Sequence, residues 1–155
     1  MLILANKIDG YTGNSGFYCW VEPTLSSKLE LAMRFSWLPG FNLSKLHTTI
    51  VYSPERAPKD FPIDTGMSIG KAYTAEFFNN SLVLRIVSID LDMLCSKWLS
   101  LGTKPTYTRY LPHMSLTSTK RGASMEDLKC VQEQLAIQPI TIIFSGEQFS
   151  DAEVN

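Results

Sequence analysis

A strand, a helix and a second strand follow one another twice along this chain, and both times the strand after the helix carries a histidine. In the first unit, Gly16 to Val21 alternates and is rich in aromatics. Pro23-Thr24 then leads into Leu25, Leu29, Ala32, Met33 and Phe35-Ser36-Trp37 at helical spacing until Pro39-Gly40, and Leu46 to Tyr52 is β-branched and aromatic. In the second, Ser81 to Ile89 is strand-like and Asp90-Leu91-Asp92 caps a helix through Met93, Leu94, Trp98, Leu99 and Leu101. Gly102 ends that helix, and Leu111 to Thr117 is a short strand. Between the units, Ser68 to Phe78 forms a hairpin with Ser81 to Ile89 around the turn-prone Asn79-Asn80. Ser124, with Asp127 three residues on, opens a last helix through Leu135. Pro139 to Ser145 is a strand, hairpinned to Glu147-Gln148-Phe149. The expected order is β-α-β-β-β-α-β-α-β-β, an α+β fold with two halves of similar form. The proline-dense Ser53 to Pro62 reads as a surface loop between them.

With 155 residues, 45% hydrophobic and 19% charged, the chain can close one core, so residues 1–155 are expected to form a single domain and not a disordered tail. Fourteen Lys+Arg against fifteen Asp+Glu, a net charge of −1, leave no excess of positive charge for tracking long DNA or RNA. A small anionic ligand fits that balance better. Cys19, Cys95 and Cys130 are odd in number and far apart, which argues against a disulfide framework or a zinc site and for a reducing cytoplasm. Met1 to Ala5 is too short an apolar start for a leader, and Arg85, Asp90 and Asp92 interrupt the longest apolar stretch, so neither a secretion signal nor a membrane span is expected.

The two histidines are the only ones in the chain, and they share a pattern: Leu46-His47-Thr48-Thr49-Ile50 and Pro112-His113-Met114-Ser115-Leu116. Residues i and i+2 of a strand face the same way, so His47 lies beside Thr49 and His113 beside Ser115, with Leu46, Ile50, Pro112, Met114 and Leu116 on the opposite, coverable face. Serine and threonine make up 28 of 155 residues, so both histidines have one two places downstream by chance with a frequency of about 0.03. Two imidazoles and two hydroxyls across a cleft suit cleavage of a phosphodiester next to a ribose hydroxyl. One imidazole takes the proton of that hydroxyl, the other protonates the departing oxygen, and the hydroxyls hold the phosphoryl oxygens. Histidine titrates near neutrality and can play either part without a metal. A metal site would need a third ligand, and no HExxH or Cys/His cluster supplies one, so no cofactor is expected.

Paired His-x-[Ser/Thr] motifs on a duplicated αβ unit resemble the two-histidine (2H) phosphoesterase superfamily, over most of the chain, although only the two tetrapeptides are diagnostic. The resemblance implies two pseudo-symmetric lobes of antiparallel sheet flanked by helices, with a central groove. It also implies general base and acid roles for His47 and His113 and phosphate binding by Thr49 and Ser115. Two motifs of the same form give no polarity. The small size, the compact start Ala5 to Gly16 and the two motifs further resemble the phage anti-CBASS phosphodiesterases. That implies a phage protein in the host cytoplasm that linearises cyclic di- and trinucleotide signals through 2′-hydroxyl attack and a 2′,3′-cyclic phosphate. The alternatives are an RNA-end-processing 2′,3′-cyclic phosphodiesterase and a protein that sequesters the nucleotide without cutting it.

Other residues carry weaker expectations. Tyr11, in a Gly/Asn/Ser-rich stretch, either stacks on a base or caps a core edge, and Lys7 near it is a phosphate candidate. Tyr107 and Tyr110 flank Thr108-Arg109 just before the second motif, where Arg109 or Lys104 either contacts phosphate or belongs to a solvated loop. Tyr73 and Phe77 read as packing residues of an alternating strand. Glu147 either orients an imidazole or reads a base edge, or is a surface carboxylate. The expected partner is the cyclic di- or trinucleotide, with no long nucleic acid and no membrane; the oligomeric state is open.

Overall fold

The computed structural model describes residues 2–4, 16–55, 62–105 and 107–151. Along the chain these form β1 (Leu2–Leu4), β2 (Phe17–Val21), α1 (Leu25–Phe35), β3 (Thr48–Ser53), β4 (Pro62–Asp64), β5 (Ser68–Phe78), β6 (Ser81–Val87), α2 (Ile89–Ser100), β7 (His113–Ser118), α3 (Met125–Ile137), β8 (Ile140–Phe144) and β9 (Gln148–Asp151). Every element expected from Gly16 onward is present, but the last two strands do not form the expected hairpin: β8 pairs with β5 and β9 with β2, so the turn at Ser145-Gly146 passes the chain from one sheet to the other. The short pair β1 and β4 was not anticipated, and it makes Pro62 the start of a strand instead of the end of a loop; residues 56–61 of that stretch lie outside the described residues.

All pairings between strands are antiparallel. A three-stranded sheet runs in the order β3-β2-β9, a four-stranded sheet in the order β7-β6-β5-β8, and β1 pairs with β4. The two strand-helix-strand units close alike: β2 pairs with β3 across α1, and β6 with β7 across α2. In each unit the strand following the helix becomes a sheet edge. The hairpin between β5 and β6 turns on Asn79 (φ 47°) and Asn80 (φ 68°), left-handed positions that asparagine tolerates better than other residues with a Cβ.

Helix starts follow hydroxyl caps. Thr24 caps α1 through the Ser27 amide, and Ser124 and Asp127 form a reciprocal capping box on α3. For α2 the cap is Ser88, not the Asp90-Leu91-Asp92 segment: its hydroxyl accepts from Leu91 N at 3.0 Å and donates to Ile69 O at 2.7 Å. Asp90 instead accepts from Ile69 N at 2.8 Å, tying the helix start to β5.

The face of α1 needs a larger correction. Leu25, Leu29, Met33 and Trp37 are exposed, and the buried stripe is Ser27, Leu31 and Phe35, continued by Leu38. Both stripes recur every four residues. Docking selects the second, because Ser27 Oγ accepts from Ile143 N of β8 at 2.9 Å while Leu31 and Phe35 enter the core. Tyr73 is likewise exposed instead of packed, since the register between β5 and β6 shifts between Ala72 and Thr74 and leaves it in a bulge; Phe77 is half-buried against the core as expected.

Buried side chains from both larger sheets and all three helices form one cluster. Helix α2 packs against β3 and β5, one strand from each sheet, while α3 covers β5 and α1 covers β8. Trp98 of α2 is fully buried, with ring centroids 5.5 Å from Phe17 and 5.1 Å from Phe149. No helix among the described residues is long and apolar enough to cross a membrane.

Candidate functional site

Each histidine sits where its strand begins, later than the sequence pattern suggests. The strands expected from Leu46 and Leu111 start at Thr48 and His113, because Leu46 closes a 3-10 turn onto Leu43 O and Pro112 has no amide hydrogen to offer a neighbour. The delayed start places the carbonyl two residues back within reach of each ring. His47 Nδ1 lies 2.8 Å from Lys45 O, and His113 Nδ1 lies 2.9 Å from Leu111 O. A carbonyl oxygen only accepts, so Nδ1 carries the hydrogen in both rings and Nε2 is left outside that bond. Neither Nε2 has a hydrogen-bond partner among the described residues.

The alternation within each motif follows period two. His47 and Thr49 are half-buried while Thr48 and Ile50 are fully buried; His113 is half-buried and Ser115 exposed while Met114 and Leu116 are buried. Tertiary structure then brings the motifs together. The edge strands β3 and β7 belong to different sheets but approach to within 8 Å between Cα atoms. Thr49 and His113 line one cavity of about 550 Å³, together with Tyr52, Phe78, Arg85 and Arg109. His47 and Ser115 line a second, of about 260 Å³, with Asn42, Lys45 and Arg121. Each cavity therefore pairs the histidine of one motif with the hydroxyl of the other.

The segment before β7 holds β3 in this position. Tyr107 Oη donates to Ile50 O at 2.7 Å and Tyr110 Oη to Thr49 O at 2.9 Å, so two phenols cap carbonyls of β3. Burial pushes both phenols far above their ordinary range and keeps them donors at any physiological pH. Replacing both with Phe is expected to lower unfolding free energy by about 1–3 kcal/mol, measured as the urea midpoint, and to lower turnover as β3 shifts against β7. An unchanged midpoint would mean that these bonds do not hold the edge strand.

Tyr18 of β2 reaches the same region. Its hydroxyl is 3.0 Å from Thr49 Oγ1, its ring meets His47 edge-on at 6.2 Å, and burial raises its phenol. On the other side, the Phe78 ring lies 5.1 Å from His113, with the Arg85 guanidinium 5.5 Å from that phenyl centroid. Arg85 pairs across the sheet with His113, donates to Glu76, and points a second nitrogen at Leu111 O, 3.5 Å away, the carbonyl that also receives the His113 hydrogen. Sequence reading missed Tyr18, Tyr52, Phe78 and Arg85. Alternation along β2 carried a signal for Tyr18, but Arg85 is recognisable only from the register between β6 and β7.

Of the other expected residues, Arg109 is exposed and lines the larger cavity. Lys104 is an exposed partner of Glu55 at 3.8 Å, a contact worth little in water. Lys7 and Tyr11 lie outside the described residues. Glu147 is not a surface carboxylate, and its hydrogen bonds go to core groups instead of an imidazole. Its side chain is fully buried, and it accepts from Trp98 Nε1 at 2.7 Å, Asp64 N at 2.8 Å and Cys19 Sγ at 3.2 Å while pairing with Lys97. Cys19 faces opposite to Tyr18 along β2, so Glu147 is on the core side of that sheet. Gly146 makes this seat possible, since a Cβ there would lie 2.7 Å from Thr65 Cα. Burial and the Glu147 carboxylate push the Cys19 thiol well up, which keeps it a donor. Among the described residues, no three His, Cys, Asp or Glu side chains gather where they could hold a metal ion.

The sequence profile of a family described as "Anti-CBASS protein Acb1" matches residues 21–151, which include both histidine motifs. A comparison with curated proteins finds no match.

Proposed function

The chain belongs to the anti-CBASS protein Acb1 family, and from that premise we propose that it is a metal-independent phosphodiesterase of the 2H type that linearises cyclic di- or trinucleotide signals, serving phage counter-defence in the host cytoplasm. On this reading residues 1–155 are one domain of two pseudo-symmetric lobes, with the groove where β3 meets β7. The observation that carries it is the repeated geometry of the histidines: on adjoining edge strands, each ring uses Nδ1 on the carbonyl two residues back and leaves Nε2 uncommitted.

The chemistry follows from that geometry. A neutral Nε2 takes the proton from the ribose 2′-hydroxyl as the 2′-oxygen attacks phosphorus. The second ring, protonated, gives its Nε2 hydrogen to the departing 5′-oxygen. The ring opens at that bond and a 2′,3′-cyclic phosphate remains. Thr49 and Ser115 hydrogen-bond the phosphoryl oxygens, and Arg109, at the rim of the larger cavity, offsets their charge. Cavities of a few hundred Å³ between two strand edges suit a small cyclic ligand better than a polymer.

Incubating the purified protein with a cyclic dinucleotide in excess EDTA, and separating the products by chromatography, tests this directly. The expected outcome is a linear product from the ribo form and no product from its 2′-deoxy analogue. Faster opening of a mononucleotide 2′,3′-cyclic phosphate would favour RNA-end processing, and a ligand bound but returned intact would favour sequestration.

A further inference from the structure

The smaller of the two cavities between β3 and β7 differs in chemistry from the larger. The larger is walled by the rings of Tyr52, Phe78, Tyr107 and Tyr110, and its Arg85 is already paired with Glu76. The smaller, beside His47 and Ser115, has no Phe, Tyr, Trp, Asp or Glu among its described lining residues, and it holds Asn42, Lys45 and Arg121. Lys45 and Arg121 make no ion pair among the described residues. Arg121 is seated by contacts distant in sequence. Thr117 donates to Pro39 O, which ties the end of β7 to the loop after α1, and Arg121, in the 3-10 turn Thr119–Arg121, lies over Gly40 and donates to its carbonyl at 3.2 Å. A Cβ on Gly40 would come 2.5 Å from Arg121 Cβ, so the seat depends on that glycine. The bond to Gly40 uses one N–H of the guanidinium fork and leaves the others to a ligand. Asn42 accepts through Oδ1 from Ser44 N at 3.0 Å and from Ser44 Oγ at 2.7 Å. A backbone amide only donates, so the orientation of the Asn42 side chain is fixed and its NH2 group remains to donate. Guanidinium, ammonium and amide NH2, gathered with no carboxylate, suit an anion.

We propose that Arg121, Lys45 and Asn42 form a subsite for a second phosphate of the substrate, the one that is not cut, and that this subsite selects cyclic oligonucleotides over substrates with a single phosphate. This deepens the phosphodiesterase reading and rests on it. Ser115, which holds the scissile phosphate in that reading, also lines this cavity, so the subsite adjoins the reacting phosphorus. A cyclic dinucleotide always presents a second phosphodiester, whereas a dinucleoside monophosphate has none. The uncut phosphate gains no charge in the displacement, so its contacts stabilise ground state and transition state equally. Losing them raises KM and leaves kcat alone. Losing a contact to the scissile phosphate lowers kcat instead.

A panel of 3′,5′-linked cyclic di- and trinucleotides covering the four ribonucleobases first identifies the ring that wild type opens fastest. The companion substrate is the linear dinucleoside monophosphate with the bases that flank the cut bond, which keeps that bond and its 2′-hydroxyl but lacks a second phosphate. Arg121→Gln should raise KM for the ring about tenfold, in the range of one charged hydrogen bond, with kcat changed less than about twofold. Arg121→Lys should recover part of that loss. Asn42→Asp, which keeps the acceptor for Ser44 and sets a negative charge in the subsite, should raise KM further. Arg121→Gln should leave turnover of the linear substrate, or the inhibition constant of its 2′-deoxy form where turnover is too slow to follow, within about twofold of wild type. Equal losses on both substrates, or a fall in kcat, would assign Arg121 to the scissile phosphate, and an unchanged KM would leave it outside the site. Either result overturns the subsite while the phosphodiesterase reading stands, because the ring is still opened. If wild type opens no ring of the panel, the phosphodiesterase reading falls and the subsite with it.

Discussion

His47→Ala and His113→Ala are each expected to lower turnover of a cyclic dinucleotide by about 10²–10⁴-fold, with the double substitution little worse than either single one. In the proposed mechanism one ring removes a proton and the other supplies one in the same displacement, so losing either stops the step that both serve. Folding should be almost unaffected. Both rings are half-buried at strand starts, and each gives the fold only one hydrogen bond to a local carbonyl. The measurement is initial rate by chromatography alongside thermal unfolding of the same samples. A variant that turns over at the wild-type rate would remove that ring from the mechanism. Two losses that simply multiply would mean that the rings do not act on one phosphorus.

Glu147→Ala is expected to produce the largest loss of stability, about 3–5 kcal/mol, the usual cost of removing one partner from a buried ion pair. Four donors converge on this carboxylate: the Lys97 ammonium, the Trp98 indole, the Cys19 thiol and the Asp64 amide. They come from α2, β2 and β4, so the substitution strands polar groups on three elements at once. A domain is typically stable by only about 5–15 kcal/mol, so much of the folded population is at stake. Glu147→Gln, which keeps one carbonyl oxygen and the volume, should cost less. The guanidinium chloride midpoint reads both. Below the transition, the folded fraction of either variant should bind a cyclic dinucleotide with wild-type affinity; intact stability with lost binding would return Glu147 to the ligand.

The division between what was legible and what was not follows the range of the interactions. Thr24 and Ser124 announce their helices, and Asn79-Asn80 its hairpin, because caps and turns are satisfied within a few residues. The cap of α2 lies two residues before the acidic segment that local pattern points to, since Ser88 gains its advantage from Ile69, on another strand. Helix α1 carries two stripes of equal period, and contacts distant in sequence select between them: Ser27 with Ile143, 116 residues away, and Leu31 and Phe35 with the core. Glu147 follows a glycine near the end of the chain and looks like a loop carboxylate until Trp98 and Lys97 are folded over it.

By itself, then, the amino-acid order determined the strands and helices other than β1 and β4, the two histidines, and the hydroxyl that shares a strand face with each. These are matters of periodicity, which backbone geometry imposes within a handful of residues. Only the tertiary structure decided that the motif strands are edges of different sheets lying side by side, that two cavities each pair one motif's histidine with the other's hydroxyl, and that Arg85 borders the larger of them. Strand order and register are set by contacts between residues distant in sequence, and local periodicity carries no record of which edges will meet.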